Sequence, residues 1–159
     1  MPAITAVLHT HNDALRLGRA LETLCPCDEI LIIDHHSQDA TRQVGREYGA
    51  KIVLAPSEPV SDKFLLDIAT EWILCLDPRE SLSEGLAAAL FEWKSSPVEP
   101  AVSAFSVFHR EETSEGWVQH PHPQTRLVPA RWSQWDGYFP RGGSSAVSLE
   151  GELLRFAFP

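Results

Sequence analysis

The order of apolar and amphipathic segments constrains the fold of this chain more than any other feature of its sequence. Five short, β-rich apolar runs alternate with four segments in which apolar residues recur every three or four positions, the period of one helix face. The predicted strands cover residues 3–10, 29–34, 51–55, 72–77 and 101–110, and the predicted helices cover residues 12–24, 37–49, 62–70 and 83–94. Alternation at this spacing requires crossover connections, so the sequence predicts an α/β fold with a mostly parallel sheet flanked by helices.

The pattern weakens after Arg110. The stretch "TRLVPARW" at 125–132 predicts a strand or a hairpin arm, and "RGGSSA" at 141–146 predicts a loop. A length of 159 residues suits one folded unit with a substantial core. We therefore predict a single compact domain over residues 1–159.

Charge and hydropathy exclude several classes of protein. The chain has 13 Lys and Arg against 22 Asp and Glu, for a net charge of −9, so a general affinity for the nucleic acid backbone is not expected. No apolar run approaches the roughly 18–20 residues of a membrane span. The first residues lack a basic segment followed by an apolar one, as a signal peptide would have. The sequence therefore predicts a cytoplasmic location, either free or at the inner face of the membrane. The sequence leaves the oligomeric state open.

The three cysteines predict reduced thiols rather than disulfides, because their number is odd and no secretory leader is visible. Cys75 lies in an apolar run and is predicted to be a small core residue. Cys25 and Cys27 could join His35 and His36 in a zinc site, although their spacing matches no common zinc framework. A metal-sensing protein is therefore one hypothesis for this chain, beside those that are developed below.

Polar clusters follow three of the predicted strands. They are Thr10 to Asn12, Asp34 to Asp39, and Asp77 to Glu80. In an open parallel sheet, ligands bind beyond the carboxyl ends of the strands, so these clusters predict one shared pocket. Asn12 and Asp39 could instead only cap helices, and Asp34 could instead only bind backbone amides. The glycine-rich dinucleotide motif and the phosphate-binding loop are both absent from the sequence, which disfavours dehydrogenases and nucleoside triphosphatases.

The segments that carry these clusters resemble a known family. "THND" at 10–13, "DEILIIDHHSQDAT" at 28–41, "YGAKIV" at 48–53 and "EWILCLDPRE" at 71–80 are similar to motifs of the family 2 glycosyltransferases of GT-A fold. The resemblance is strongest to the branch that acts on lipopolysaccharide core sugars, and it is continuous from about Ala3 to about Leu90. It implies transfer of a sugar from a nucleotide-diphosphate donor to a hydroxyl on a glycan or lipid-linked acceptor, in the making of cell envelope polysaccharide.

The resemblance also implies roles for particular residues. It makes residues 1–100 a nucleotide-binding half and residues 101–159 a shortened acceptor-side half. Asp77 matches the first acid of the D-x-D-type motif, which faces the ribose and the metal. The nucleotide-binding residues implied in this way are Thr10, His11, Asn12, Asp34, His35, Ser37, Asp39, Lys63 and Asp77.

Position 79 departs from the family pattern. Family members have an aspartate there that binds Mg²⁺ or Mn²⁺ bridging the diphosphate, and this chain has Arg79. A guanidinium has no lone pair to offer a metal, so a divalent cofactor is doubtful. Either Arg79 binds the diphosphate directly and takes a catalytic role, or Asp77 pairs with Arg79 or Lys63 and the metal site is lost.

The acceptor side departs as well. The family's "G-x-V-H-E" segment corresponds to "GYFPR" at 137–141, which has neither the histidine nor the glutamate. By its order along the chain, Asp136 is the candidate general base, with Glu111 and Glu112 as alternatives. The rival hypothesis is a degenerate family member that binds a nucleotide or a glycan, or serves as an interaction module, without turnover.

Overall fold

Four parallel strands form the first part of the sheet in the computed structural model, which describes residues 1–56, 68–96, 101–142 and 146–159. They are β1 (Ile4–Thr10), β2 (Glu29–Asp34), β3 (Lys51–Leu54) and β4 (Trp72–Leu76), in the order β3-β2-β1-β4. In this register Thr10 pairs with Asp34, and Leu8 pairs with Leu76. Because the strands are parallel, the residues that follow each of them meet at one edge of the sheet.

Three helices occur in the described parts of the chain: α1 (Ala14–Glu22), α2 (Thr41–Glu47) and α3 (Glu84–Ser95). Helix α1 buries Leu17, Ala20 and Leu21 against the sheet, as its periodicity predicts. Helix α3 begins at a Ser83 cap, whose hydroxyl accepts a hydrogen bond from the amide of Leu86 at 3.1 Å. Residues 62–67 of the helix predicted over 62–70 lie outside the described residues, and residues 68–70 are not helical. No described helix is long and apolar enough to cross a bilayer.

The rest of the sheet is mixed. It contains β5 (Glu80–Leu82), β6 (Phe105–Thr113), β7 (Gly116–Gln119), β8 (Gln124–Pro129) and β11 (Val147–Arg155), while β9 (Trp135–Asp136) and β10 (Phe139–Pro140) form a separate hairpin. From β4 the order continues β8-β6-β11-β5, with β7 beside β6. Strands β6 and β11 are parallel, and β8 runs antiparallel to both β4 and β6.

The predicted α/β class and single compact domain are confirmed. The prediction of a mostly parallel sheet holds only for β1 to β4, because antiparallel pairs β4–β8, β6–β8, β6–β7 and β5–β11 make the rest of the sheet mixed. Antiparallel pairs enter where connections are short, as in the two-residue turn between β6 and β7, because a parallel pair needs a long crossover. Strands β5 and β11 are absent from the sequence prediction, as are the short strands β7, β9 and β10. Strand β5 has three residues, and β11 is interrupted by a register shift between Ser148 and Glu152.

Apolar residues fill both faces of the sheet. On one face, Leu8, Ile32 and Leu74 pack in one buried cluster with residues of α1 and α3, and Trp72 meets Trp93 edge-on with ring centroids 5.1 Å apart. On the other face, Val7, Ile33, Ile73 and Cys75 pack against the segment that carries Trp132, Trp135 and Phe139. Cys75 is therefore a core residue, as predicted. This packing brings the β9–β10 hairpin close to the carboxyl edge of β1.

Gly151 is the glycine that the packing of β11 against α3 requires. Its φ is +85°, and a Cβ there would lie 2.2 Å from the backbone nitrogen of Leu86. Gly49 has a similar φ of +78° with no atom within 4 Å of a built Cβ.

We expect Gly49→Ala to lower the free energy of unfolding by about 1 kcal/mol through backbone strain alone. Gly151→Ala should lower it by about 2–4 kcal/mol, because steric overlap adds to the same strain.

Urea denaturation of both variants measures this difference. Equal destabilisation of the two variants would contradict the close contact between β11 and the start of α3.

Candidate functional site

A cavity of about 350 Å³ lies at the carboxyl edge of the parallel strands. It is bounded by the ends of β1, β2 and β4 and by the β9–β10 hairpin. The lining residues are His9, Thr10, His11, Asp13, His35, Asp77, Pro78, Arg79 and Tyr138. Two of the three predicted clusters, those after β1 and β4, therefore open into the same space, together with His35 from the cluster after β2.

Asp77 and Arg79 form an ion pair at this cavity. One carboxylate oxygen of Asp77 accepts hydrogen bonds from the backbone nitrogen and from Nε of Arg79, both at 2.9 Å. The other oxygen accepts from Nη2 at 3.2 Å. The hydrogen bond to Asp77 raises the pKa of the guanidinium, whose side chain is 44% exposed. An accessible, fixed positive charge therefore stands where the family pattern has a second carboxylate.

These residues do not fit a divalent ion. Arg79 cannot donate a lone pair, and both oxygens of Asp77 already accept hydrogen bonds from it. Among the described residues there is no group of three His, Cys, Asp or Glu side chains placed to hold a metal. Asp77, which the sequence predicts as the metal-binding carboxylate, instead forms an ion pair with Arg79 in this arrangement.

Asp34 is turned into the protein instead of the cavity. Its side chain is fully buried, and one oxygen accepts hydrogen bonds from the Thr10 hydroxyl at 2.8 Å and the Ser37 hydroxyl at 2.6 Å. The other oxygen accepts from the Ser37 amide at 2.9 Å. Burial alone would raise the pKa of Asp34, but these hydrogen bonds outweigh burial and lower it. Direct contact with a nucleoside, the role predicted for Asp34, therefore requires the loop after β2 to open.

The loops after β1 and β2 are tied together by the remaining predicted residues. The Asn12 amide donates to the Ser37 hydroxyl at 2.8 Å, and the Asn12 side-chain oxygen accepts from the Gln38 amide at 2.8 Å. Asp39 accepts from the Ala14 amide at 3.2 Å, so Asp39 contributes to the start of α1 across the loop. The alternative that Asn12 only caps α1 is wrong, since the N-cap is Asp13 and the φ of +53° at Asn12 turns the chain one residue earlier. These hydrogen bonds therefore fix the loops after β1 and β2 relative to each other.

Two histidines and a tyrosine form an aromatic wall. His9 Nδ1 and His35 Nε2 share a hydrogen bond of 2.9 Å, and the Tyr138 ring stacks on His9 with centroids 3.9 Å apart and an angle of 11°. Burial, with a smaller contribution from His35, lowers the pKa of His9 to about 4. Burial also lowers the pKa of His35. The two histidines are therefore neutral at neutral pH, and they line the same cavity as the Asp77–Arg79 ion pair.

Sequence reasoning missed His9 and Tyr138. His9 precedes the polar cluster and sits within an apolar strand, where only strand register could have indicated that it reaches the same edge. Nothing in the sequence near Tyr138 signals its position, because that depends on how the β9–β10 hairpin docks on the sheet.

Glu80 anchors the turn that carries Asp77 and Arg79. Its buried carboxylate accepts hydrogen bonds from Arg126 at 2.8 and 3.1 Å, and from Arg155 at 3.0 Å. It also accepts from the Asp77 amide at 2.8 Å, and His109 Nε2 lies 3.1 Å away. Burial opposes ionisation of Glu80. The hydrogen bond from His109 and the charge and hydrogen bonds of Arg126 more than offset burial and hold the pKa well below its usual range.

None of the three candidate bases lines the cavity. Asp136 is an exposed residue of β9, two positions before Tyr138 in the same hairpin, and it does not line the cavity. Glu111 lies 2.8 Å from His120 Nε2, and Glu112 accepts a hydrogen bond from the Ala157 amide at 3.2 Å. Lys63 lies outside the described residues.

The zinc hypothesis is wrong. Cys25 and Cys27 precede β2, whereas His35 and His36 follow it. The six residues of β2, at about 3.3 Å per residue, separate the two pairs by about 20 Å. A single ion cannot span that distance.

Sequence comparisons match this chain to parts of longer proteins. A protein from Rickettsia felis named uncharacterized glycosyltransferase is 32% identical over 90 residues, which are 54% of this chain and 32% of that protein. A TPR repeat-containing protein from Synechococcus elongatus is 31% identical over 132 residues, 80% of this chain and 31% of that protein. The chain therefore spans about a third of the length of the curated relatives it matches. A comparison with protein-family models finds no match.

Solved structures give the fold. Glucosyl-3-phosphoglycerate synthase from Mycobacterium tuberculosis, in complex with Mn²⁺, UDP and glucosyl-3-phosphoglycerate, superposes with a TM-score of 0.51 at 17% identity. The match covers 69% of this chain and 44% of the synthase. The chain thus has the GT-A fold found in glycosyltransferases.

The burial of ionised Glu80 makes stability depend on pH. Above its ordinary pKa of 4.5, Glu80 is charged in both the folded and the unfolded chain. Below that value the unfolded chain takes up a proton that the folded protein resists, so stability falls with pH. Between about pH 4.5 and pH 3, wild type should lose about 2 kcal/mol more free energy of unfolding than Glu80→Gln, which has no proton to take up.

Urea denaturation of both proteins across this range measures the difference. Parallel pH profiles would contradict an ionised Glu80 in the folded state. At neutral pH, Glu80→Gln should be less stable by about 3–5 kcal/mol, because Arg126 and Arg155 lose their counter-charge.

Proposed function

We propose that this protein is a glycosyltransferase that moves a sugar from a nucleotide-diphosphate donor to a hydroxyl on a glycan or lipid-linked acceptor, without a metal ion. The observation that carries the proposal is the Asp77–Arg79 pair at a cavity on the carboxyl edge of β1, β2 and β4, within a GT-A fold. Such an edge is where open parallel sheets bind ligands.

The diphosphate needs a cation because negative charge grows on it as the sugar leaves. Arg79 supplies a planar guanidinium that can donate two parallel hydrogen bonds to phosphate oxygens. In the free protein Asp77 holds this group in place, and the exposure of Arg79 lets a more highly charged diphosphate compete for it. Asp77 then becomes available to accept hydrogen bonds from the ribose.

We place the nucleoside between the two loops after β1 and β2. Thr10, His11 and His35 lie on this side of the cavity, and the uncharged His9–His35 pair adds no positive charge that would compete with Arg79 for the diphosphate. Asn12, Ser37 and Asp39 hold the loops in register, and Asp34 supports them from below. Lys63 keeps its predicted role as a further nucleotide contact.

Asp136 is the base in this proposal. The acceptor hydroxyl must lose a proton as it attacks the sugar, and an exposed carboxylate near the cavity can take it. Glu111 and Glu112 already have partners in His120 and the Ala157 amide, which favours Asp136 among the three.

A second candidate function is binding without turnover. Both oxygens of Asp77 accept hydrogen bonds from Arg79, so the carboxylate that the family uses at this position is already engaged. In that case the cavity binds a nucleotide diphosphate or a glycan, and the protein acts as a recognition module.

Arg79→Ala tests the proposed diphosphate contact. With EDTA present, calorimetry should detect binding of at least one of UDP, GDP, CDP and dTDP to wild type. Arg79→Ala should weaken that binding about tenfold to a hundredfold, since it removes charge-assisted hydrogen bonds. Arg110→Ala is the matched control, because Arg110 is 45% exposed and lies 3.4 Å from Glu152 in an ion pair away from the cavity.

Equal affinities for Arg79→Ala and wild type would remove Arg79 from the site. Binding that appears only when Mn²⁺ is added would refute metal independence.

Asp136→Asn tests the base. If the protein turns over, this variant should lose nearly all of its rate, because the amide cannot accept the proton, while nucleotide affinity is unchanged. Glu111→Gln is the control at the rival carboxylate. A near-normal rate for Asp136→Asn removes Asp136 as base, and nucleotide binding with no turnover of any donor favours the recognition module.

A further inference from the structure

We infer that Arg126 is a positioning residue that sets the spacing of two walls of the cavity, an inference that rests on the proposed function of that cavity. Arg126 is fully buried and does not line the cavity. Its contacts lead to the cavity in two directions.

The first direction leads to the ion pair. Arg126 donates from Nη1 and Nη2 to the two oxygens of Glu80, and the same Nη1 donates to the Cys75 carbonyl at 3.1 Å. Glu80 in turn accepts from the Asp77 amide at 2.8 Å. Arg126 is thus connected to the last residues of β4 and to the turn that presents Asp77 and Arg79.

The second direction leads to the aromatic wall. The guanidinium carbon of Arg126 lies 3.9 Å from the centre of the Phe139 ring, within the range of a cation–π contact. Phe139 follows Tyr138 in the β9–β10 hairpin, and Tyr138 stacks on His9. One planar group therefore holds the hairpin through its face and the β4 turn through its edge.

The charge of Arg126 can serve both contacts. Glu80 has a second guanidinium, that of Arg155, at 3.0 Å. The negative charge of Glu80 is thus shared between two arginines, and the cation of Arg126 can also interact with the electron-rich face of Phe139. Apolar side chains pack a core as well as a buried ion pair does, so core stability alone does not explain this residue.

Phe139→Leu tests the inference without disturbing the Arg126–Glu80 pair. Leucine keeps apolar area but has no aromatic face, so the β9–β10 hairpin should pack less tightly on Arg126. The Tyr138 ring should then no longer stack on His9, and His9 should become more exposed to water. By NMR titration, the pKa of His9 should rise from about 4 toward its ordinary value of 6.5. UDP, or whichever of the four nucleotides wild type binds, should bind several-fold more weakly.

Three further variants separate positioning from general stability. Phe139→Tyr restores an aromatic face and should restore the low pKa of His9. Phe91→Leu, at an exposed phenylalanine on α3, should leave the pKa of His9 unchanged. Arg126→Lys keeps the charge but loses the planar stack and the paired hydrogen bonds. It should therefore raise the pKa of His9, as Phe139→Leu does.

An unchanged pKa of His9 in Phe139→Leu and Arg126→Lys, with both variants folded by circular dichroism, would overturn the inference. A raised pKa in Phe139→Tyr as well would also overturn it, since the aromatic face would then be irrelevant. Failure of wild type to bind any of the four nucleotides would refute the proposed function, and the NMR result would still decide whether Arg126 positions the hairpin.

Discussion

The buried carboxylate of Glu80 is the constraint around which the second part of this structure is built. An ionised carboxylate without water is costly unless its oxygens are well hydrogen-bonded. Here β6, β8 and β11 each send one side chain to it, from His109, Arg126 and Arg155. The Asp77 amide satisfies it from the tip of β4. The mixed half of the sheet is thereby fastened to the turn that displays the site.

The parallel half of the fold could be predicted because its strands and helices follow from the hydrophobic pattern of residues that are close in sequence. Strands β1, β2 and β4 are short, largely buried apolar runs, as expected for strands covered on both faces, and α1 and α2 between β1, β2 and β3 show their period in sequence. The Glu80 network could not be predicted, since its members lie on four separate strands whose pairing is decided by long-range packing. The same holds for Tyr138, which reaches His9 only because a hairpin docks on the sheet.

Part of the lining of the candidate site could be predicted from the sequence, and particular residues explain what could not. Thr10, His11, His35, Asp77 and Arg79 line one cavity, as their places after the strands indicated. Asp34 is at the predicted place but faces inward, because Thr10 and Ser37 offer hydroxyls close to it. The sequence pattern predicts which strand end carries a residue, whereas local hydrogen bonds determine the direction of its side chain.

The central claim is that the guanidinium of Arg79 takes the place of a metal ion at the diphosphate. A crystal structure with UDP and Mn²⁺, with anomalous data collected at the manganese edge, tests it most directly. The account predicts Arg79 in contact with phosphate oxygens and no manganese peak between Asp77 and the diphosphate. A manganese ion bound to Asp77 and the diphosphate, with Arg79 turned to solvent, would contradict it.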